Sequence, residues 1–427
     1  MARLGSVVVD VGRLRVHREF RLLTIGGLVG GLGRQIAVIA LPYQLYVLTN
    51  SPLAIGALAV VQLVPLLAFS MVGGAIADTV ERRRLLLITQ TGLLGCSVIL
   101  ALVAALPEPP IILIYAVAFA LGAITAVEQP ARSSAMFRVV PRDELPWAIS
   151  ISQVTWNISS VLGPALGGAL IATLGLPAAY GMNALAIAVS VVTLLGLRPM
   201  PPLDSAPRFT FAAIREGLRY ARRTRVLLAT FVVDLDAMIF GMPVALFPIL
   251  ALDVFHAGAE GVGLMTAAPA AGALLGAFFT GWVHRVRFQG RAVIIAVAVW
   301  GLAIAGFGLA TFSLPLALLF LAIAGAADMF SAIFRSTILQ VGLPDHLRGR
   351  LSALHLTVVT GGPRLGDLEA TAVAAAVNAP FSVVSGGLLC VLGLAAVAWW
   401  YPELAAYDAH KAAEQAAELS RIEGAAG

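Results

Sequence analysis

A small set of ionisable residues lies inside long apolar stretches of this chain, and these residues are the ones with chemistry to offer. Arg34 and Arg364 are the bases; Glu128, Asp234, Asp236, Asp328, Asp367 and Glu369 are the acids. Placing a charged side chain at the centre of an apolar bilayer helix costs about 2.5–3.5 kcal/mol on insertion scales, so each needs a partner, water or a function. More deep acids than deep bases are present, so some carboxylates must be protonated, face water, or borrow Arg132 or Arg335 from the ends of their segments. Carboxylates in that position can trade a proton near neutral pH. Spacing sorts them. Glu128 and Arg132 are four apart, and Arg364 and Asp367 three apart, so each pair can meet on one helix face. Asp234 and Asp236 are two apart and point to different faces. Asp328 has no base on its own helix nearer than Arg335, two turns away, which ranks it first as a proton carrier, ahead of Asp234 and Glu128.

The elements that must position these groups are membrane helices. Hydropathy divides the chain into about twelve apolar spans of roughly 20 residues, the length that crosses a bilayer. They run over 22–47, 53–77, 85–106, 110–134, 147–173, 178–197, 227–250, 260–282, 292–312, 315–340, 351–376 and 380–400. Alternate connections, 48–52, 107–109, 174–177, 251–259, 313–314 and 377–379, contain neither Lys nor Arg. The others carry clusters such as Arg13, Arg15, Arg18 and Arg21, then Arg82, Arg83 and Arg84, then Arg285, Arg287 and Arg291. That asymmetry implies an even number of crossings with both termini cytoplasmic.

Composition excludes several function classes. With 59% hydrophobic and 12% charged residues in 427, a soluble globule is ruled out. The net charge of +5 sits in loops beside the membrane, where it orients helices and meets anionic lipid, so no nucleic-acid partner is implied. Cys96 and Cys390 lie inside spans, which argues against a disulfide framework or a metal centre. His355 is the sole histidine deep in a span and has no HExxH-type or Ser/His arrangement around it, so an intramembrane enzyme is not expected. No GxxxxGK[ST] loop occurs, which removes an ATP-driven engine. The glycine run Gly26 to Gly33 reads as a surface for close helix packing.

The two halves repeat. A shift of 203 places Arg132-Ser133-Ser134 on Arg335-Ser336-Thr337, Pro141 on Pro344 and Gly163 on Gly366. The resulting expectation is an all-α membrane protein of twelve transmembrane helices in two six-helix repeats, 1–197 and 226–400. A linker over 198–225, with an amphipathic basic helix from Ile214 to Arg225, joins the halves, and 401–427 forms a polar tail.

The segment Gly73 to Arg84, with Gly74, Asp78 and the cluster Arg82, Arg83 and Arg84, resembles the loop motif of the major facilitator superfamily. It departs from that motif at Thr79 and Glu81. Gly163, Pro164, Gly167 and Gly168 resemble the GPxxGG signature of drug/proton antiporters. Leu106 to Pro110 leading to Tyr115, Glu216 to Tyr220, and Leu347 to Arg350 are similar to the enterobactin-exporter branch. The resemblance implies a secondary exporter that uses the proton gradient and no cofactor, works as a monomer in the cell membrane, and moves an amphipathic aromatic solute of the siderophore type. Arg34, Arg364, Asp367 and Asn157 would then meet the solute's polar groups, and Tyr43 and Phe240 its rings. Asp78, near the basic cluster and Arg132, would latch the cytoplasmic side. Broad lipophilic drug efflux fits the same residues, and a non-transporting solute receptor could use the same scaffold.

Overall fold

Long helices follow one another because the sequence offers apolar runs with no polar face to solvate. The computed structural model describes the backbone of residues 11–200, 219, 222, 224–341 and 345–409, and the side chains among them except 11, 13, 70–79, 142, 284, 340–341, 345–357 and 360. The elements are α1 (Arg18–Thr49), α2 (Pro52–Thr79), α3 (Arg82–Ala104), α4 (Ile111–Val139), α5 (Leu145–Leu195), α6 (Arg225–Phe240), α7 (Gly258–Ala277), α8 (Gln289–Leu309), α9 (Leu314–Val341), α10 (Asp345–Ala376) and α11 (Ala379–Trp400). No strand occurs among the described residues. Nine helices in that set are long and apolar enough to cross a membrane. Large side chains such as Ile112, Leu102, Leu309 and Trp399 stand exposed on them, an arrangement stable only against lipid.

The fifth and sixth spans are the two arms of α5, separated where the hydropathy reading separates them by a kink at Gly175, whose φ of 83° is open to glycine and strained for other residues. One departure from that reading has a local cause. The seventh span, expected to run unbroken over 227–250, breaks after α6. Pro243 has no N–H to continue the ladder, and the chain restarts as short turns over Val244–Leu246, Phe247–Ile249 and Leu250–Val254. The amphipathic helix expected over Ile214–Arg225 lies outside the described residues apart from its last few positions.

The chain forms two compact units. The first comprises 1–50, 57–209 and 256–267. In it α1 lies along both arms of α5, and α3 packs between α4 and α5. Close approach of α1 depends on its glycines. A Cβ on Gly33 would lie 2.7 Å from Ala186 Cβ and 2.9 Å from Asn183 Oδ1, and one on Gly31 would lie 2.7 Å from Ser159 Oγ. Such small-residue contact is how helices associate in lipid, where burial of apolar area gives no driving force. Leu23, Leu85, Leu86, Ala131, Ala135 and Leu194 fill the core at one end of this unit. At that end Arg83 donates to the carbonyls of Leu194 and Leu195, and Arg18 to that of Gly196. Three donations thus reach the open C-terminus of α5, where cations are favoured.

The second unit comprises 51–56, 210–255 and 268–427. In it α8 packs between α9 and α11, and α6 against α10 and α11.

Because α1 and α5 touch through missing side chains, Gly33→Val is expected to lower the apparent melting temperature in detergent, overpacking costing about 1–3 kcal/mol. Gly95, with nothing within 4 Å of its would-be Cβ, is the control. Gly95→Ala should leave stability unchanged or raise it by up to about 1 kcal/mol. Equal melting temperatures for wild type and Gly33→Val would refute the packing account.

Candidate functional site

Glu128 organises the polar interior of the first unit. It sits on α4 with its side chain 5% exposed, and its Oε1 accepts three hydrogen bonds. Gln90 Nε2 on α3 donates at 2.7 Å, Arg132 Nε one turn along α4 at 3.0 Å, and Arg34 Nη1 on α1 at 3.3 Å. The Glu128–Arg132 pair is the four-residue spacing seen in the sequence. Gln90, fully buried, was not anticipated; an amide alone in an apolar helix is the signal that could have marked it. Two guanidiniums thus share one carboxylate.

Beside this cluster lies a partly open chamber of about 230 Å³. Arg34, Arg132, Ser133, Ser152, Thr155 and Trp156 are among its lining residues. Arg132, grouped by sequence with the loop motif, therefore faces the chamber. Tyr43 and Asn157, proposed from sequence as cavity residues, are half-buried and do not line it.

The second unit holds a cluster of the opposite composition. Arg335 on α9, 4% exposed, bonds Asp234 on α6 through Nη1 and reaches Asp328, seven residues earlier on its own helix, through Nη2 at 3.5 Å. One guanidinium here serves two carboxylates. Side chains on a helix tilt toward its N-terminus, so a long arginine can reach back two turns. Asp328, which spacing left without a near base, gains one this way and keeps 44% of its side chain exposed. Asp236 points away from Asp234 and packs at Gly393 of α11, the two faces expected of an i,i+2 pair.

Arg364 and Asp367 meet at 3.6 Å on α10. Asp367 Oδ1 also accepts from the backbone N–H of Ala245 at 3.1 Å. That N–H belongs to the turn restarting the chain after the break at Pro243, so Asp367 caps a broken helix, a task sequence did not reveal. Trp300 Nε1 satisfies the carbonyl of Gly241 on the other side of the break at 2.9 Å. Phe240, the last residue of α6, is half-buried at this break.

The GPxxGG residues are buried in α5. A Cβ on Gly167 would lie 3.1 Å from Ile36 Cα of α1, and one on Gly168 would lie 2.7 Å from the carbonyl of Ala259 and 3.0 Å from Gly263 Cα. Gly163 approaches the carbonyl of Leu32 in the same way. In the loop motif Gly74 and Asp78 fall in α2, their side chains outside those described. Arg82 is buried at the start of α3, its backbone N–H on the carbonyl of Met200, and Arg84 is exposed.

Residues 14–421 match the family model described as transmembrane secretion effector. The enterobactin exporter EntS of Citrobacter koseri is 29% identical over 402 residues, covering 91% of this chain and 94% of that one. The enterobactin exporter EntS of Escherichia coli is 29% identical over 404 residues, covering 91% and 95%. Among solved structures, a POT family transporter in complex with 5-aminolevulinic acid superposes with a TM-score of 0.73 at 12% identity, covering 91% and 96%. A bacterial homolog of the human lysosomal transporter Spinster, inward-facing and unoccupied, gives 0.65 at 16% identity, covering 94% and 97%. At such identities the structural likeness speaks for the fold alone.

Removing Glu128's charge leaves Arg34 and Arg132 facing each other without their shared counterion. Glu128→Gln is expected to destabilise the protein by about 1–3 kcal/mol, the partial exposure of both guanidiniums keeping the loss below that of a dry ion pair. Adding Arg34→Gln should cost less in that background than in the wild type, since the residues form one network. Additive losses of thermal stability in the double variant would contradict the shared-counterion geometry.

Proposed function

The chain belongs to the transmembrane secretion effector family of major facilitator transporters, and from that premise we propose that it is a proton-driven exporter of a catecholate-type siderophore. As a member it is a multi-pass membrane transport protein for a small molecule and not an enzyme. The observation that carries the substrate reading is the likeness, over nearly the whole chain, to proteins named enterobactin exporters. Energy would come from the proton gradient, with the solute site exposed alternately to each side of the inner membrane. The placement of every Lys- and Arg-free connection on one side of the hydropathy pattern supports cytoplasmic termini. A monomer suffices for this mechanism.

Proton coupling is assigned to the second unit. Among the described residues Arg335 bonds Asp234 and reaches Asp328, and Asp328, with 44% of its side chain exposed, is the more accessible of the two carboxylates. A proton arriving on Asp328 would free Arg335 to serve Asp234 alone; a proton leaving would split it between the two. Glu128, held by three donors, is better suited to remain a counterion than to release its partners at each cycle. A flat catechol ring bearing hydroxyls suits a mostly apolar interior with a few fixed polar groups; a sugar would need many more partners.

Deleting the gene is expected to trap siderophore inside iron-starved cells and lower its amount in the medium, measured by chromatography of both fractions. Normal secretion together with raised sensitivity to lipophilic antibiotics would select drug efflux instead. In everted vesicles, Asp328→Asn should reduce gradient-driven siderophore accumulation at least tenfold while leaving exchange down a concentration gradient measurable, because Asn keeps the shape and hydrogen bonding but cannot titrate. Undiminished gradient-driven transport by that variant would move the proton to Asp234 or Glu128.

A further inference from the structure

We propose that the chamber between α1, α4 and α5 is by itself a binding site for one aromatic ring that carries an ionised oxygen next to a hydroxyl. The proposal rests on the export reading above for its biological meaning, but its chemistry comes from the chamber's walls.

Charge is the first wall property. Arg34 and Arg132 both line the chamber, and among the described residues the two share a single carboxylate, Glu128. Glu128 itself is 5% exposed and does not line the space, so an entering ligand meets guanidinium rather than carboxylate. Arg132 Nη2 is buried and has no hydrogen-bond partner among the described residues. The two side chains stay partly exposed, Arg34 30% and Arg132 23%, and a charged donor at a cavity wall is a place for an anionic oxygen. Gly27 makes this placement possible: a Cβ there would come within 3.3 Å of Arg132 Nη1.

The hydroxyls supply a second property. Thr24, Ser152, Thr155 and Ser159 all line the chamber, yet each already donates its proton to a carbonyl of its own helix, those of Phe20, Ala148, Ile151 and Thr155 respectively. What they retain for a ligand is lone pairs. The walls therefore offer donors for an anion and acceptors for a ligand O–H, a combination that selects neither a simple carboxylate nor a cation. Trp156 completes the set with an indole that is 55% exposed and available for stacking on a flat ring.

Size limits the occupant. A space of about 230 Å³ is smaller than the roughly 300–1,000 Å³ of pockets for drug-sized ligands. One ring fits, either as a whole small solute or as one arm of a larger one.

The test is calorimetric titration of the purified full-length protein in lipid nanodiscs with 2,3-dihydroxybenzoate, a single-ring probe with adjacent hydroxyls and a carboxylate. Arg34→Gln and Arg132→Gln should each weaken binding at least tenfold, and Trp156→Ala, at an exposed position, at least fivefold. Arg225→Gln, which removes a guanidinium paired with Glu403 on the second unit, should leave affinity unchanged. Replacing the probe by 2,3-dimethoxybenzoate, which keeps the anion and loses the O–H donors, should also cost at least tenfold. Melting temperatures of all variants separate unfolding from lost contact, and Arg34→Lys, which keeps the charge, should bind better than Arg34→Gln. Wild-type binding unchanged by Arg34→Gln and Trp156→Ala, or absent altogether, would overturn the site even if gene deletion traps siderophore in cells. Conversely, the predicted pattern of binding alongside normal siderophore secretion in the deletion strain would uphold the site and overturn the siderophore reading.

Discussion

A charge inside an apolar helical bundle must be held by an opposite one, and the rest of this structure depends on how that constraint is met. The second unit holds a simple pair, Arg364 with Asp367, but at the centre of each unit the charges are shared three ways. In the first, Arg34 and Arg132 share Glu128; in the second, Asp234 and Asp328 share Arg335. Among the described residues the clusters thus have opposite composition, two guanidiniums about one carboxylate and two carboxylates about one guanidinium. Balanced pairs would be inert, because breaking them costs too much. An unbalanced triad has an alternative partner always within reach, which is what a site that gains and loses a charge requires.

The packing exists to hold these groups at the right spacing. Arg34 reaches Glu128 because α1 lies close along α5, and it does so through Gly31 and Gly33. Gln90 reaches the same oxygen from α3, which packs on α4 and α5. In the second unit the break after α6 would leave a backbone N–H bare in the membrane, and Asp367 from α10 accepts it. That carboxylate belongs to the architecture of the break, whereas Asp328 keeps 44% of its side chain exposed and touches Arg335 at 3.5 Å. Buried acids in one chain can therefore have different tasks, distinguished by what else each one touches.

Much of this was legible in the sequence, and the limits have physical reasons. Helix positions followed from hydropathy because bilayer thickness imposes a length on each span. Pairs on one helix face, Glu128 with Arg132 and Arg364 with Asp367, followed from helical spacing. Contacts made across helices did not: nothing local joins Arg34 or Gln90 to Glu128, or Arg335 to Asp234. Asp328 looked unpaired because seven residues exceed the usual i,i+4 reach; the direction in which a helical arginine leans closes the gap. The break at Pro243 was hidden by the apolar residues on both sides of it, since hydropathy cannot register a missing N–H.

The central claim is that the two clusters divide the work, Glu128 staying ionised as a counterion while a carboxyl of the Asp234–Asp328 pair takes up and releases the proton. Infrared difference spectroscopy of the protein in lipid, across a step in pH, reads protonated carboxyl groups directly by their C=O stretch. The account predicts a carboxyl band that disappears in Asp328→Asn and persists in Glu128→Gln. A band that persists in Asp328→Asn and is lost in Glu128→Gln would contradict it.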